Sequence, residues 1–151
     1  MTHSELVEVA YNWLLKSARC SFAFKELTTY TLEQPDAIGW KNGYSVLIEC
    51  KTSRSDFFAD QKKDFRKHEY LGVGKYRFYM APEGLLTIRD IPEKWGFLVV
   101  DEKCKVKKIL APEGNIWCNW PTFKTHTPSE ITMLCSALRR VHKNNDLEKI
   151  F

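Results

Sequence analysis

Asn42-Gly43 separates two short runs, Ala37 to Trp40 and Tyr44 to Lys51, that read as strands. Asn-Gly suits the positive-φ positions of a type I′ turn, whose twist matches that of the strands it joins. A two-residue turn also fixes the register. Lys41 then pairs with Tyr44, and counting outward along the hairpin places Asp36 opposite Glu49. Opposed side chains share one face, with Cβ atoms about 4.5–5.5 Å apart, and strand alternation puts Lys51 on that face too. Two facing carboxylates and a lysine at the end of the apolar run SVLI are costly unless something pairs with them.

A divalent cation is such a partner. Mg²⁺ takes one or two carboxylates and completes its shell with water and phosphate oxygens. Asp36 and Glu49 are the candidate ligands, and the main-chain carbonyl of Cys50 is a further one. Lys51 would stand beside the metal-bound water and a scissile phosphate. There it could orient the water, help deprotonate it and balance charge in the transition state. The plainer alternative makes Glu49 and Lys51 ordinary strand-end charges and Asp36 a turn acid.

Pro35-Asp36 with Glu49-Cys50-Lys51, behind a first helix that carries Glu5, resembles the PD-(D/E)xK nuclease superfamily. The stretches LIECKTSRSDFFADQKKDFR, YRFYMAPEGLL and WGFLVVDEK are similar, more narrowly, to MmcB-like DNA-repair nucleases. The likeness runs from Pro35 to Lys103 and leaves the segment from Ile109 onward unmatched. It implies one restriction-endonuclease-like domain over residues 1–151, of α/β (α+β) class, with a central mixed sheet flanked by helices. It also implies hydrolysis of phosphodiester bonds in DNA, in repair, phage DNA metabolism or host–phage conflict. The cofactor would be Mg²⁺ or Mn²⁺, and a homodimer is compatible with cutting both strands. The setting would be the cytoplasm of a bacterial cell or phage-infected host.

Carried over residue by residue, Asp36, Glu49 and Lys51 are catalytic, and Asp36, Glu49 and Cys50 hold the metal. Glu5 matches the first-helix glutamate of many members, although it is equally the third residue of a capping box opened by Thr2. The superfamily also contains members that do not cleave. A non-catalytic module that binds nucleic acid or protein on the same fold is therefore the alternative.

The rest of the chain supplies the frame. Leu6, Val9, Ala10, Trp13 and Leu14 recur at helical spacing, and CSFAFKELTTY contains a strand. After the motif, a helix is expected from about Asp56 to Tyr70. It pairs Lys62 with Arg66 and Lys63 with Lys67 at i, i+4. With Arg54 these residues suit a phosphate backbone, or else form a solvated face with Asp60 and Asp64 as local partners. Tyr76 to Ala81 reads as a strand, and WGFLVV and KVKKIL as a second hairpin whose Lys103, Lys105 and Lys107 guard an edge. A last helix begins at Thr127-Pro128-Ser129-Glu130 and is expected to bury Ile131, Leu134, Cys135, Leu138 and Val141. Trp117, Trp120 and Phe123 are either loop anchors or stacking faces for bases.

Composition excludes some classes. No apolar run approaches the roughly 20 residues of a membrane span, and the first residues lack the pattern of a signal peptide. Five cysteines form no Cys-x-x-Cys pair, which points to a reduced, intracellular protein. A net charge of +4 suits an anionic partner such as DNA.

Overall fold

The structure is a computed structural model that describes residues 1–144. The Asn42-Gly43 turn forms with φ of 51° and 80° at its two residues. It joins β2 (Ala37–Lys41) to β3 (Tyr44–Cys50) in the expected register, from Lys41 opposite Tyr44 to Ala37 opposite Ile48. β1 (Phe22–Lys25) adds to β2 antiparallel. On the other side of β3, β4 (Tyr76–Pro82) and β5 (Gly96–Val100) run parallel to it, and β6 (Val106–Leu110) closes the order antiparallel to β5. The six strands lie in sequence order in one mixed sheet flanked by helices, a single α+β domain.

Both faces of the central strands are covered, which explains why their sequences read as nearly continuous apolar runs. α1 (His3–Lys16) packs Leu6, Ala10, Trp13 and Leu14 against Val46, Ile48, Phe78 and Met80. Thr2 and Glu5 complete its capping box. The opposite face carries Ile38, Leu47, Tyr79, Phe97 and Val99 beneath Phe57 and Met133. β6 is only partly covered, and its lysines stand in solvent at the edge. Trp117 and Phe123 are loop anchors: Trp117 meets Tyr76 edge-on at 5.1 Å, and Phe123 meets Trp95 at 5.7 Å. No helix among the described residues is long and apolar enough to cross a membrane.

Two expectations are corrected. The helix expected from Asp56 to Tyr70 is broken into α2 (Arg54–Asp60), α3 (Asp64–Lys67) and a 3₁₀ turn at Glu69–Leu71. Residues six apart on a continuous helix point about 120° away from each other at 100° per residue. The break lets Arg66 turn back and bond Asp60. The final helix, α4 (Thr127–Lys143), is capped by His126 rather than Thr127. It buries Ser129, Glu130 and Met133, whereas Ile131 and Leu138 are 53% and 52% exposed. Cys135 is exposed too, and Leu134 and Val141 are half-buried. Met133 lies about 200° round the helix from Ile131, so α4 docks by its first two turns, where Met133 and Leu134 meet the core, and leaves Ile131 and Leu138 of the expected stripe in solvent.

Gly96 opens β5 directly opposite Phe78. A Cβ there would sit 2.2 Å from Cδ1 of the Phe78 ring. Gly96→Ala is expected to destabilise the protein by about 1–3 kcal/mol through overpacking. A urea midpoint equal to that of the parent would disprove the close approach.

Candidate metal and acid–base centre

β3 is where the sheet changes sense, antiparallel to β2 and parallel to β4. Alternation puts Glu49 and Lys51 on the face of Leu47, and both are 4% exposed. α2 follows at once. Ser53 caps it by accepting a hydrogen bond from the Asp56 amide at 3.2 Å. Phe57 and Asp60, three residues apart, therefore face the sheet together. Asp60 is fully buried. Its carboxylate accepts a hydrogen bond from the Tyr79 hydroxyl at 2.8 Å and lies 3.5 Å from Lys51 Nζ. Lys51 Nζ is also 3.4 Å from Glu49 Oε2 and 3.7 Å from Asp56 Oδ2.

Asp36 stands one step beyond the last pair of the β2–β3 ladder. Its carboxylate accepts a hydrogen bond from the Cys50 amide at 2.8 Å and lies 3.3 Å from His3 Nε2. The structure thus brings Asp36, Glu49, Cys50 and Lys51 to one corner of the sheet. Glu5 is not in that group. It is exposed, and its carboxylate accepts from the Thr2 amide at 2.7 Å and the Thr2 hydroxyl at 3.0 Å. These two bonds hold its pKa below the ordinary value. It lines a separate cavity of about 800 Å³ with Glu83, Asp101 and Lys103.

Arg66 joins the cluster from α3. Its side chain is 4% exposed, with Nε 2.8 Å from Asp60 and Nη2 3.3 Å from Glu49; Nη1 bonds Glu33. Glu33 is 1% exposed and also accepts from the Val73 amide at 2.7 Å. Glu33 and Asp60 were not among the residues that the sequence singled out for the site. Glu33 sits in a polar loop with no periodicity to betray its burial. Asp60 had a signal, its place one turn after Phe57 on the buried side of a capped helix.

The electrostatics follow from burial first. Desolvation pushes the pKa of Glu49 up to about 8, Asp36 adds to the rise, and Arg66 and Lys51 oppose it. Burial likewise raises Asp36, against the Cys50 amide and His3. Burial works against the charged form of Lys51, but Glu49, Asp60 and Asp56 outweigh it and raise its pKa. Asp60 is also desolvated, yet Arg66 and Lys51 hold it well below the usual carboxylate range. Lys51 is therefore a fixed cation, and Glu49 is the group whose charge is least supported.

Among the described residues, no group of three or more His, Cys, Asp or Glu side chains is arranged to hold a metal ion. Asp36 and Glu49 do offer two carboxylates. Oε1 of Glu49 is buried, lies 3.3 Å from Arg66 Nη2 and accepts no hydrogen bond. That donor set fits a cation that needs few protein ligands and keeps its water, such as Mg²⁺ or Mn²⁺, and not an all-protein cage.

The residues expected to meet DNA are divided. Lys62 and Lys67 are exposed. Lys63 is 3.0 Å from Asp60 with half its side chain in solvent. Arg54 forks onto Asp90 at 2.9 and 3.0 Å. Arg66, bonded to three carboxylates inside the protein, is not presented to a phosphate backbone.

No family model matches the chain, and no curated protein matches it. A solved structure is similar, that of the SPO1766 protein of unknown function from Silicibacter pomeroyi. It is 21% identical with a TM-score of 0.61, over 98% of this chain and 94% of that one. At that identity the likeness shows the fold alone.

Removing one partner of a buried ion cluster leaves the others uncompensated. Arg66→Ala is expected to lower stability by about 3–5 kcal/mol in urea unfolding. Arg66→Lys should recover little, because an ammonium lacks the planar fork that reaches several carboxylates. Unfolding of Arg66→Ala at the parent's midpoint would show that the cluster contributes nothing.

Proposed function

We propose that this chain is a metal-dependent nuclease of the PD-(D/E)xK kind, of the MmcB-like group, hydrolysing phosphodiester bonds in DNA in repair or phage DNA metabolism. The observation that carries the proposal is the meeting of Asp36, Glu49 and Lys51 at the carboxyl end of β3. There Asp36 is bonded to the Cys50 amide and Lys51 contacts Glu49. The carboxyl ends of strands are where open α/β sheets commonly bind ligands.

On this reading Asp36 and Glu49 hold Mg²⁺ or Mn²⁺, with the Cys50 carbonyl as a further donor. Glu5 would first have to release Thr2. When bound, the ion polarises the phosphate and makes water a better nucleophile. The chain's own residues do the positioning. Lys51 Nζ, kept charged by Glu49, Asp60 and Asp56, donates to a phosphoryl oxygen and stabilises charge as it develops there. Asp60, fixed by Tyr79 and Arg66, holds the Lys51 ammonium in place. Lys62, Lys63 and Lys67, on the outer side of the segment after β3, supply phosphate contacts that carry no sequence code.

The decisive measurement is incubation with supercoiled, linear and single-stranded DNA in Mg²⁺, Mn²⁺ or EDTA. Cleavage is expected only with the metals. Lys51→Ala should abolish it and leave Mn²⁺ binding intact in calorimetry, because an ammonium donates and cannot ligate a cation. Asp36→Asn should weaken Mn²⁺ binding as well. Full cleavage by Lys51→Ala would remove Lys51 from the mechanism. Absence of both cleavage and Mn²⁺ binding in the parent would leave a non-catalytic module.

The double charge reversal Lys62→Glu, Lys67→Glu should weaken DNA binding across all sequences and flatten its dependence on salt. Unchanged affinity in a filter-binding assay would return these lysines to the role of a solvated face.

A further inference from the structure

Residues 26–36 form a loop that buries Leu27, Glu33 and Pro35 and leaves Tyr30 and Leu32 in solvent. Glu33 is 1% exposed, whereas Tyr30 is 107% exposed and Leu32 68%. The loop is not slack. Gln34, itself exposed, ties it across the outside, accepting from the Thr29 amide at 3.1 Å and donating to the Thr29 carbonyl at 2.6 Å and the Thr31 carbonyl at 3.2 Å. The Thr29 and Thr31 hydroxyls bond each other at 2.8 Å. Alternation then turns Tyr30 and Leu32 outward. Leu27 and Pro35 already seat the loop on the core, so the ring of Tyr30 is left outside without a packing role.

The same loop is fastened to the candidate centre at two points. Glu33 bonds Arg66, which contacts Glu49. The loop's last residue is Asp36 itself. Tyr30 precedes Glu33 by three residues, so their Cα atoms are at most about 11 Å apart. On its other flank, Arg140 of α4 donates to the Thr28 carbonyl at 3.2 Å. That brings the guanidinium of Arg140 to the base of the loop. An exposed aromatic ring on a braced loop, with a cation at the loop's base, is an arrangement that binds unpaired bases, since every base has a π-face and every nucleotide a phosphate.

We infer that the loop of residues 26–36 is a stacking platform for an unpaired base of single-stranded DNA, with Tyr30 as the stacking face and Leu32 beside it. The centre thereby acts on single strands, or on duplex already opened, in preference to intact duplex. The choice of polymer rests on the nuclease reading. The geometry of the loop does not.

The test is binding in EDTA, where no cleavage occurs. The full chain is titrated into a single-stranded oligonucleotide carrying 2-aminopurine, and into its duplex. The parent should bind the single strand more tightly and quench the 2-aminopurine. Tyr30→Ala should lose about tenfold in single-strand affinity, the scale of one stacked base, and change duplex affinity less than twofold. Tyr30→Phe should bind as the parent does. Tyr30→Lys separates stacking from charge: it should weaken single-strand binding, and tighter binding would overturn the inference. So would parental affinity in Tyr30→Ala, or equal losses on both DNAs. If Mn²⁺-dependent cleavage by the parent persists in that case, the nuclease reading stands without the platform. A parent that binds neither DNA in EDTA overturns the platform, and overturns the nuclease reading as well only where cleavage with Mn²⁺ is absent too. Because Tyr30 is wholly exposed, its removal should leave the urea midpoint unchanged, so that a binding loss cannot be ascribed to unfolding.

Discussion

The contact of Arg66 with Glu33, Glu49 and Asp60 is the interaction on which the rest of the site depends. It joins elements that are otherwise separate: the loop before β2, the end of β3, α2 and α3. Through Asp60 it extends to Tyr79 on β4. Taking so many charges out of water costs several kcal/mol per ion, and mutual attraction offsets that only where hydrogen bonds are nearly complete. An apolar cluster of similar volume would hold the fold at less cost. On the proposed reading, the buried polar cluster is a consequence of the roles of Glu49 and Lys51. Arg66 and Asp60 make it possible to keep these two charges inside.

How much of this could be read from the sequence differs by element, for identifiable reasons. The hairpin was legible because Asn42-Gly43 fixes a register and the register fixes a face. The pairing of Ala37 with Ile48 follows, and Asp36 stands one step beyond it, bonded to the Cys50 amide. The break after α2 was not legible. Local spacing pairs Lys62 with Arg66 as if on one helix, but the attraction that decides the break comes from Glu33 and Glu49, which are distant in sequence. The basic residues after the motif looked equivalent in one dimension. In three, Arg66 turns inward while Lys62 and Lys67 stay outside.

α4 teaches a related lesson. An amphipathic pattern states that a helix has an apolar stripe and says nothing of what will cover it. Here the stripe of Ile131 and Leu138 is left in solvent, and the helix is held by Met133 and by the polar residues of its first turn. His126 takes over the cap because its ring nitrogen accepts from the Ser129 amide, which frees Thr127 to begin the helix.

Charge counting connects this frame with the proposed chemistry. Four carboxylates, those of Glu33, Asp36, Glu49 and Asp60, share three buried cations: Lys51 and Arg66 at the centre, and Arg77, which is 1% exposed and acts on Glu33. His3 and Lys63 reach the cluster from its rim, but their side chains are 42% and 50% exposed, and water screens what they contribute. The interior is therefore short of positive charge. A proton is one remedy, and the rise of the Glu49 pKa to about 8 expresses it. The sign is that of a carboxyl whose neutral form burial favours: protonated Glu49 is the better tolerated state below that pH, and the ionised form strains the cluster above it. A divalent cation beside Asp36 and Glu49 is the other remedy, and it would bring the positive charge that is missing. On the proposed reading the two remedies exclude each other at Glu49, because a carboxylate must be deprotonated to act as a ligand. The same imbalance that makes the metal-free cluster costly would then be the source of its affinity for the ion.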